Sequence, residues 1–285
     1  MKLILGSASW RSRYGLISKN PLSKKRINRL VMRGALLGFD YIDTAPTYGD
    51  TEAILGKIKP QQKIATKVTV DPLNFSSINE SINCSRKRLG IESLDLIFVH
   101  NWDTLSQLEK YKSVEKLQKC ILEQSIKKWG FSTYDVFELK KIKKYGWTNL
   151  NIQINSNILD QRLLEVENAL EQSVLKKQRV EIWVRSVFLQ GILLDQTLKN
   201  PFADHPDLIN FFSICEQYGL SPLKLCLAYM RLIGAVDGII VGIENEIQLK
   251  EIVAAFQDGS PNLDFQHLQS KDIKLIDPRN WEIRS

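Results

Sequence analysis

The sequence has few cysteines and histidines, and it lacks long apolar runs. Among its 285 residues are three histidines and four cysteines, Cys84, Cys120, Cys215 and Cys226. No two cysteines have CxxC spacing, so we predict no metal site and expect buried free thiols in a reducing compartment. No apolar stretch reaches transmembrane length, and the run near the start is too short for a signal peptide. We therefore expect a cytoplasmic protein without a membrane partner.

Signals for nucleic acid and for an open nucleotide-binding sheet are also missing. The formal net charge is +7, but the lysines are dispersed over helix-like faces and no nucleic-acid motif accompanies them. The first apolar run ends in GSASW, which is not the GxGxxG turn of a doubly wound sheet. Neither a low-complexity linker nor an internal repeat divides the chain, so we predict a single domain over residues 1–285.

Short apolar runs alternate with helical periodicity along most of the chain. The predicted strands are 3–8, 39–43, 63–67, 94–100, 129–132, 151–154, 180–186 and 238–241. The predicted helices include 24–37, 51–57, 78–89, 105–128, one ending at 144, 162–177, 204–218, 221–233 and 246–256. Eight such units favour a (β/α)8 TIM barrel with parallel strands and a C-terminal tail, about 257–285, over the barrel. An open doubly wound sheet is the alternative.

The stretch 39–49, FDYIDTAPTYG, places a carboxylate and a phenol at the end of a buried strand. Asp43 ends the strand, and Tyr48 lies in the Pro/Thr/Gly turn that follows. Catalytic side chains of barrels come from the carboxyl ends of strands, so this position indicates chemistry. A structural alternative is that Asp43 caps a turn while Tyr48 packs on the rim.

Two further strands end near ionisable side chains, Lys67 and His100. Separately, Lys67 could be a snorkelling surface lysine and His100 a satisfied core histidine. Together with Asp43 and Tyr48 they form an acid–base group suited to carbonyl reduction. Tyr48 would donate a proton with its pKa lowered by the Lys67 cation, Asp43 would hold Lys67, and neutral His100 would orient the substrate oxygen. The hydride must come from a cofactor, because no side chain supplies one.

These segments resemble the aldo-keto reductase superfamily over nearly the whole chain. FDYIDTAPTYGDTEAILG is similar to the family's signature, ATK to its lysine segment and LDLIFVHNWD to its histidine segment. The resemblance implies a (β/α)8 barrel, a catalytic tetrad of Asp43, Tyr48, Lys67 and His100, and NADP(H) bound without a Rossmann domain.

The resemblance also implies residues that hold the nicotinamide. WGFST is similar to the family's GVSN, so Ser132 and Thr133 would hold the carboxamide, with Thr133 replacing the usual Asn. Gln153 in NIQIN matches the glutamine that bonds the same amide. The family usually has a stacking aromatic residue where this chain has Arg185, which could stack, reach a phosphate or acidic substrate, or form a structural ion pair.

The adenosine end of the cofactor site departs further from the family. The resemblance places Gly242, Glu244, Asn245, Gln248 and Glu251 along the segment GIIVGIENEIQLKEI. Family members usually have cations here that bind the 2′-phosphate, whereas this chain has Glu244. The substitution leaves NAD(H) as an alternative to NADP(H), because a nearby carboxylate repels the phosphate.

Substrate and assembly are less constrained by sequence. Trp10, Arg11 and Trp102 are candidates for the pocket wall, and aromatic walls suit sugars and hydrophobic carbonyls alike. We predict an NAD(P)(H)-dependent oxidoreductase for a small-molecule aldehyde or ketone, with a sugar-type substrate favoured by resemblance. The alternative is a catalytically weak, cofactor-binding regulatory subunit like the potassium-channel beta subunits. The sequence leaves the oligomeric state and the reaction direction open.

Overall fold

Eight parallel strands close into a barrel in which each strand pairs with its neighbours in sequence and the last pairs with the first. The computed structural model describes residues 1–12, 21–167, 172–197, 200–259, 261 and 263–281. The strands are β1 (Lys2–Gly6), β2 (Tyr41–Asp43), β3 (Lys63–Val68), β4 (Leu96–Val99), β5 (Trp129–Thr133), β6 (Leu150–Asn155), β7 (Val180–Arg185) and β8 (Val236–Gly242). The predicted (β/α)8 TIM barrel is confirmed, and the β1–β8 pairing rules out an open sheet.

Helices connect successive strands. In chain order, those of the described residues are α1 (Ala8–Arg11), α2 (Lys24–Leu36), α3 (Thr51–Ile58), α4 (Ser77–Leu89), α5 (Gln107–Leu122), α6 (Glu138–Tyr145), α7 (Arg162–Glu167), α8 (Gln172–Gln178), α9 (Pro206–Gln217), α10 (Pro222–Leu232), α11 (Glu246–Gln257) and α12 (Ile273–Ile276). Short 3-10 helices cover Trp102–Thr104, Leu189–Leu194, Gln266–Leu268 and Pro278–Asn280. None of the helices in these ranges is long and apolar enough to cross a membrane.

Local sequence explains where the better-predicted helices begin and end. Ser23 caps α2 by accepting a hydrogen bond from the Arg26 backbone N–H, as a serine preceding an amphipathic run is expected to do. Gly90 ends α4 in a left-handed conformation that costs glycine little. Every residue of β4 is buried, because helices cover its outer face while the barrel interior covers the other.

The interior of the barrel has an apolar layer with polar residues at both of its ends, and at the amino ends of the strands Glu181 pairs with Lys2 and Lys128 at 3.1 and 2.9 Å. Ile4, Tyr41, Ala65, Leu96, Phe98, Trp183 and Ile240 form a separate buried cluster inside the strands. The Trp183 ring packs against the rings of Tyr41 and Phe98, with centroids 4.9 and 5.6 Å apart. At the carboxyl ends of the strands, polar residues replace this cluster. We call this end the barrel mouth.

The predicted helix 105–128 is too long. Its helical part, α5, stops at Leu122, because Gln124 adopts a left-handed backbone with φ of 57° and Ile126 then forms a bridge with Leu94. The predicted helix 162–177 is described as two helices, α7 and α8, and its residues 168–171 lie outside the described residues. Cys84 is exposed rather than buried, whereas the other three thiols are buried as expected.

The C-terminal tail packs on the loop that follows β6. The Gln161 side-chain amide donates to the Phe265 carbonyl at 2.7 Å, and the Ser270 N–H donates to the Leu159 carbonyl at 2.9 Å. Residues 260, 262 and 282–285 of the predicted tail lie outside the described residues. The tail therefore reaches the mouth side of the barrel, where its last turn contributes Arg279.

Helices α3 and α4 approach so closely at Gly56 that a larger residue is excluded. A Cβ at Gly56 would lie 2.2 Å from the Arg88 carbonyl oxygen, which belongs to backbone and cannot rotate away. We expect Gly56→Ala to lower the free energy of unfolding by about 1–3 kcal/mol through overpacking. Urea denaturation measures the effect. Gly259→Ala is the control, since no atom lies within 4 Å of its added Cβ, and an equal loss there would contradict the steric explanation.

Candidate active site

A buried ion pair lies at the barrel mouth between the ends of β2 and β3. The Lys67 ammonium is 2.8 Å from both carboxylate oxygens of Asp43 and 2.9 Å from the Thr44 carbonyl oxygen. These three acceptors match the three N–H donors of a lysine. Both side chains are almost fully buried, so the charge of Lys67 is compensated and its direction is fixed.

Gln153 and Tyr48 complete the surroundings of this ion pair. The Gln153 amide N–H donates to the Asp43 carboxylate at 2.5 Å, which draws β6 into the cluster. The Gln153 carbonyl oxygen is buried and has no hydrogen-bond partner among the described residues. The Lys67 ammonium lies 5.0 Å from the centroid of the Tyr48 ring, so the aromatic ring and the amine are neighbours.

The ionisation of Tyr48 differs from the expectation. Burial raises the pKa of Tyr48, the Asp43 carboxylate raises it further, and Arg185 opposes the rise. The predicted lowering by Lys67 is therefore wrong for this arrangement, because the lysine charge is already matched by Asp43. The consequence is a phenol that stays protonated across the ordinary pH range.

His100 shares the electrostatic environment of this cluster. Burial lowers the pKa of His100 to about 4, the positive charges of Lys67 and Arg185 lower it as well, and Asp43 opposes them. Its backbone N–H donates to the Val68 carbonyl at 2.7 Å, which fixes the start of the loop after β4. The imidazole is neutral near pH 7, as the sequence predicted.

The last residue of β5, Thr133, is bonded to the loop that follows the strand and to Asp103. The Thr133 hydroxyl donates to the Asp103 carboxylate, and it also accepts the Asp135 backbone N–H at 2.9 Å. Asp103 in turn accepts the Tyr134 backbone N–H at 2.8 Å. Ser132 is buried one residue earlier, opposite Gln153 in the strand register. Thr133 thus has structural partners where the family's asparagine would be.

Arg185 ends β7 and stacks on Tyr134. Its guanidinium carbon is 4.2 Å from the centroid of the Tyr134 ring, and the guanidinium of Arg279 lies 4.1 Å from the same centroid. Arg279 forms an ion pair with Asp277 at 2.6 Å and approaches Asp103 at 3.5 Å. Tyr134 and Arg279 were missed in the sequence. Tyr134 lies two residues after the predicted strand 129–132 and directly after the observed β5, and that position is the signal that could have found it.

A cleft of about 370 Å³ runs from Asp43 and Tyr48 past Arg185 to Gly242, Glu244 and Gln248. We call it the mouth cleft. Asn245 caps α11 by accepting the Gln248 backbone N–H, and the Gln248 side chain accepts the Glu244 backbone N–H at 2.8 Å. Glu251 lies on an exposed part of α11 and does not line the cleft. Within the described ranges, Arg185 is the one basic residue that lines it.

The loop after β7 forms a strained wall of the mouth cleft. Ser186, Leu189 and Gln190 have φ values of 62°, 45° and 52°, which non-glycine residues rarely adopt. Such strain persists only where surrounding structure enforces it, and it is frequent at functional sites. The buried Gln190 side-chain oxygen has no partner in the described residues. Sequence reasoning missed this wall, since only Gly191 hinted at an unusual backbone.

The predicted pocket-wall residues are not brought into the mouth cleft. The Trp10 indole is buried and donates to the Ile243 carbonyl at 2.9 Å. The Trp102 indole is buried too, donating to Glu138 at 2.9 Å and stacking on Phe131. Arg11 forms an ion pair with Asp50 at 2.6 Å. Both tryptophans therefore belong to the packing that supports the barrel. No three His, Cys, Asp or Glu of the described residues cluster as a metal site.

Comparisons with known proteins bear on the family of this chain. The sequence model of the Aldo/keto reductase family matches residues 2–273. An aldo-keto reductase of Mycolicibacterium vanbaalenii is 29% identical over 189 residues, or 63% of each chain, so the match spans less than two thirds of that relative. Pyridoxal 4-dehydrogenase of Microbacterium luteolum is 22% identical over 89% of this chain and 90% of its own.

A solved structure shows the same fold over almost the whole chain. The holo form of aldo-keto reductase AKR11C1 from Bacillus halodurans superposes with a TM-score of 0.74 at 21% identity, covering 99% of this chain and 94% of its own. At that identity the likeness concerns the fold alone, while the family match over residues 2–273 covers both the barrel and the mouth residues. The chain belongs to the aldo/keto reductase family.

Proposed function

We propose that this protein is an NAD(P)(H)-dependent oxidoreductase that interconverts a carbonyl and an alcohol at the barrel mouth. The observation that supports the proposal most is the Lys67–Asp43 ion pair at 2.8 Å, with the Tyr48 ring 5.0 Å from the lysine amine. The charges of Lys67, Arg185 and Asp43 act on His100, whose imidazole stays neutral near pH 7. This grouping supports a site in which an acid, its charged neighbour and a polar donor act on one carbonyl oxygen.

The side chains divide the reaction between them. The nicotinamide, when bound, supplies or accepts the hydride. Neutral His100 donates a hydrogen bond to the substrate oxygen and orients the carbonyl. Lys67, held in place by Asp43, fixes the polar surroundings of that oxygen. Tyr48 transfers its proton to the oxygen, since an alkoxide is a stronger base than a phenolate even when the pKa of the phenol is raised.

The mouth cleft has features that fit a dinucleotide. The buried Gln153 and Gln190 side-chain oxygens lack partners in the described residues, which favours a polar ligand beside them. A Cβ added at Gly242 would meet no atom within 4 Å, so the end of β8 is open to a ligand. Ser132 and Gln153 would hold the nicotinamide end beside Arg185, and Gly242, Glu244, Asn245 and Gln248 the adenosine end. Glu251 would stand beyond it, and Thr133 would contribute least because of its bond to Asp103.

We propose that the adenosine end of the cleft gives no strong preference for NADP(H) and leaves NAD(H) as a cofactor. Glu244 lines the cleft where family members have a cation, and the other described residues that line it include no Lys and no Arg besides Arg185. A carboxylate about 5 Å from a 2′-phosphate repels each unit charge by about 3 kcal/mol at an effective dielectric near 20. The substrate class we propose is a small aldehyde or ketone, with a sugar-type carbonyl favoured by resemblance.

Replacing the proton donor tests the reaction. We expect Tyr48→Phe to lower carbonyl reduction by about 10²–10⁴-fold, the usual worth of general acid catalysis, while nucleotide affinity stays nearly unchanged. Nicotinamide absorbance with a panel of aldehydes and ketones follows turnover, and fluorescence titration follows binding. The control is Tyr41→Phe, which removes a phenolic hydroxyl from the apolar layer of the barrel.

Equal turnover by the Tyr48→Phe variant would contradict its role as proton donor. Nucleotide binding without reduction of any carbonyl by the wild-type protein would instead favour the regulatory-subunit alternative.

His100 should make stability depend on pH. In the folded protein its pKa is about 4, whereas an unfolded imidazole titrates near 6.5. The unfolded state therefore binds more protons between these values, and stability is lost as the pH falls through that window. When the pH falls from 7 to 5, we expect the wild type to lose about 2 kcal/mol more of its free energy of unfolding than His100→Gln loses.

Urea denaturation at the two pH values measures this difference. His267→Gln, which changes an exposed imidazole, is the matched control. Identical pH dependence in wild type and His100→Gln would show that His100 is not held neutral by the fold.

Glu244 can be tested through the two reduced nucleotides. We expect the wild type to bind NADPH no more than about tenfold better than NADH, and Glu244→Gln to raise NADPH affinity selectively. Glu246→Gln is the control because its carboxylate pairs with Arg33 at 3.6 Å. A preference for NADPH of about a hundredfold in the wild type would contradict the proposed repulsion.

A further inference from the structure

Tyr134 is held between two guanidinium groups at the edge of the mouth cleft. Arg185 lies 4.2 Å from its ring centroid and Arg279 lies 4.1 Å from it. Arg279 comes from the C-terminal turn and is compensated by Asp277 at 2.6 Å and Asp103 at 3.5 Å. Arg185 comes from the end of β7 and lines the cleft together with Tyr48. The stack fixes the plane of the Arg185 guanidinium, so its N–H donors have a defined direction.

Arg185 adds positive charge beside the reacting groups. The Lys67 charge is matched by Asp43 at 2.8 Å, and His100 is neutral near pH 7. Arg185 contributes to lowering the pKa of His100 and opposes the rise in the pKa of Tyr48. Its field therefore reaches both side chains that would face the substrate oxygen.

Asn155 stands directly opposite Arg185 in the register of β6 and β7. Its side chain is 1% exposed, and neither its amide nitrogen nor its amide oxygen has a hydrogen-bond partner in the described part of the chain. Buried amides in native proteins are nearly always bonded, so an unbonded one calls for a ligand or water. Alternation along β6 puts Asn155 on the same inner face as Gln153, two residues away.

We propose that Arg185 and Asn155 form a recognition site for a carboxylate on the carbonyl substrate, which makes this protein selective for oxo acids or sugar acids over neutral aldehydes. The inference rests on the proposed function and deepens it. A planar guanidinium matches a carboxylate through two parallel N–H donors, and an amide N–H adds a third. Tyr134 is a positioning residue, because it acts only by holding Arg185.

Matched substrate pairs test the proposal. Glyoxylate is compared with glycolaldehyde, and D-glucuronate with D-glucose, so that each pair exchanges a carboxylate for a CH₂OH group. We expect kcat/KM to favour the acid by about tenfold or more in at least one pair, as a charge-assisted hydrogen bond predicts. Arg185→Met should abolish that ratio, Arg185→Lys should leave part of it, and Asn155→Leu should reduce it.

The positioning role of Tyr134 has its own readout. Tyr134→Phe keeps the stacked ring and should keep the acid-to-neutral ratio, whereas Tyr134→Leu should lower the ratio mainly through KM. An equal ratio in the phenylalanine and leucine variants would overturn the positioning role. Thermal unfolding of each variant separates this effect from a loss of folding.

Nucleotide phosphate is the other anion that Arg185 could meet, and the assays separate the two. If Arg185→Met weakens NADH and NADPH binding in fluorescence titrations but leaves the acid-to-neutral ratio unchanged, the proposal is overturned. Glyceraldehyde 3-phosphate preferred over glyceraldehyde without any preference for carboxylates would overturn it too. If the wild type reduces neutral aldehydes and the acid-to-neutral ratio of kcat/KM is near one, this inference is contradicted while the proposed function stands.

Calorimetric titration with glycolate decides the matter independently of turnover. Binding of glycolate to the nucleotide-loaded wild type, lost in Arg185→Met and absent for ethylene glycol, would support the carboxylate site. Failure of the wild type to bind glycolate would overturn it. If glycolate binds but no aldehyde of any charge is reduced, the carboxylate site is supported and the proposed oxidoreductase activity is what fails.

Discussion

The buried ion pair between Asp43 and Lys67 is the interaction on which the barrel mouth depends. Moving two charges out of water is costly, and their attraction repays it only when every donor and acceptor is satisfied. Here the ammonium has three acceptors, and the carboxylate also accepts the Gln153 amide. These bonds join β6 to the adjacent strands β2 and β3, which lie across the barrel from it. Only a closed barrel brings the three strands to one point.

The same ion pair sets the electrostatics of its neighbours. Because Asp43 matches the charge of Lys67, the lysine does not draw the proton off Tyr48, and burial dominates the pKa of the phenol. Burial also dominates at His100, where the neighbouring cations act in the same direction and keep the imidazole neutral. Tyr48 and His100 are thus both held in their neutral, hydrogen-bond-donating forms.

The strands and the mouth residues could be predicted because they depend on local signals. Buried parallel strands appear as short apolar runs, and Asp43, Lys67 and His100 each mark the end of one. The end of α5 could not be predicted, since helical periodicity continues past Gln124 while the backbone there turns left-handed to let Ile126 pair with Leu94. Long-range pairing overrides local preference at that point.

Side-chain partners were harder to predict from the sequence than the ends of strands. Trp10 and Trp102 resemble pocket walls in sequence, but an indole is equally suited to burial when its N–H finds an acceptor, and both do. Conversely, the Tyr134 stack joins the end of β5, the end of β7 and the C-terminal turn, three segments whose meeting no spacing reveals. Asn155 could have been found more easily than the Tyr134 stack, because strand alternation alone places it on the face of Gln153.

Burial of Tyr48 bears on the direction of the proposed reaction. Reduction requires a protonated phenol, and oxidation requires a phenolate that can accept the alcohol proton. Burial and the Asp43 carboxylate both favour the protonated form, and Arg185 is the group that opposes them. An anionic substrate seated against Arg185 would cancel part of that opposition and favour the phenol further. The arrangement at the barrel mouth therefore holds Tyr48 in the protonated form that reduction requires and disfavours the phenolate that oxidation requires.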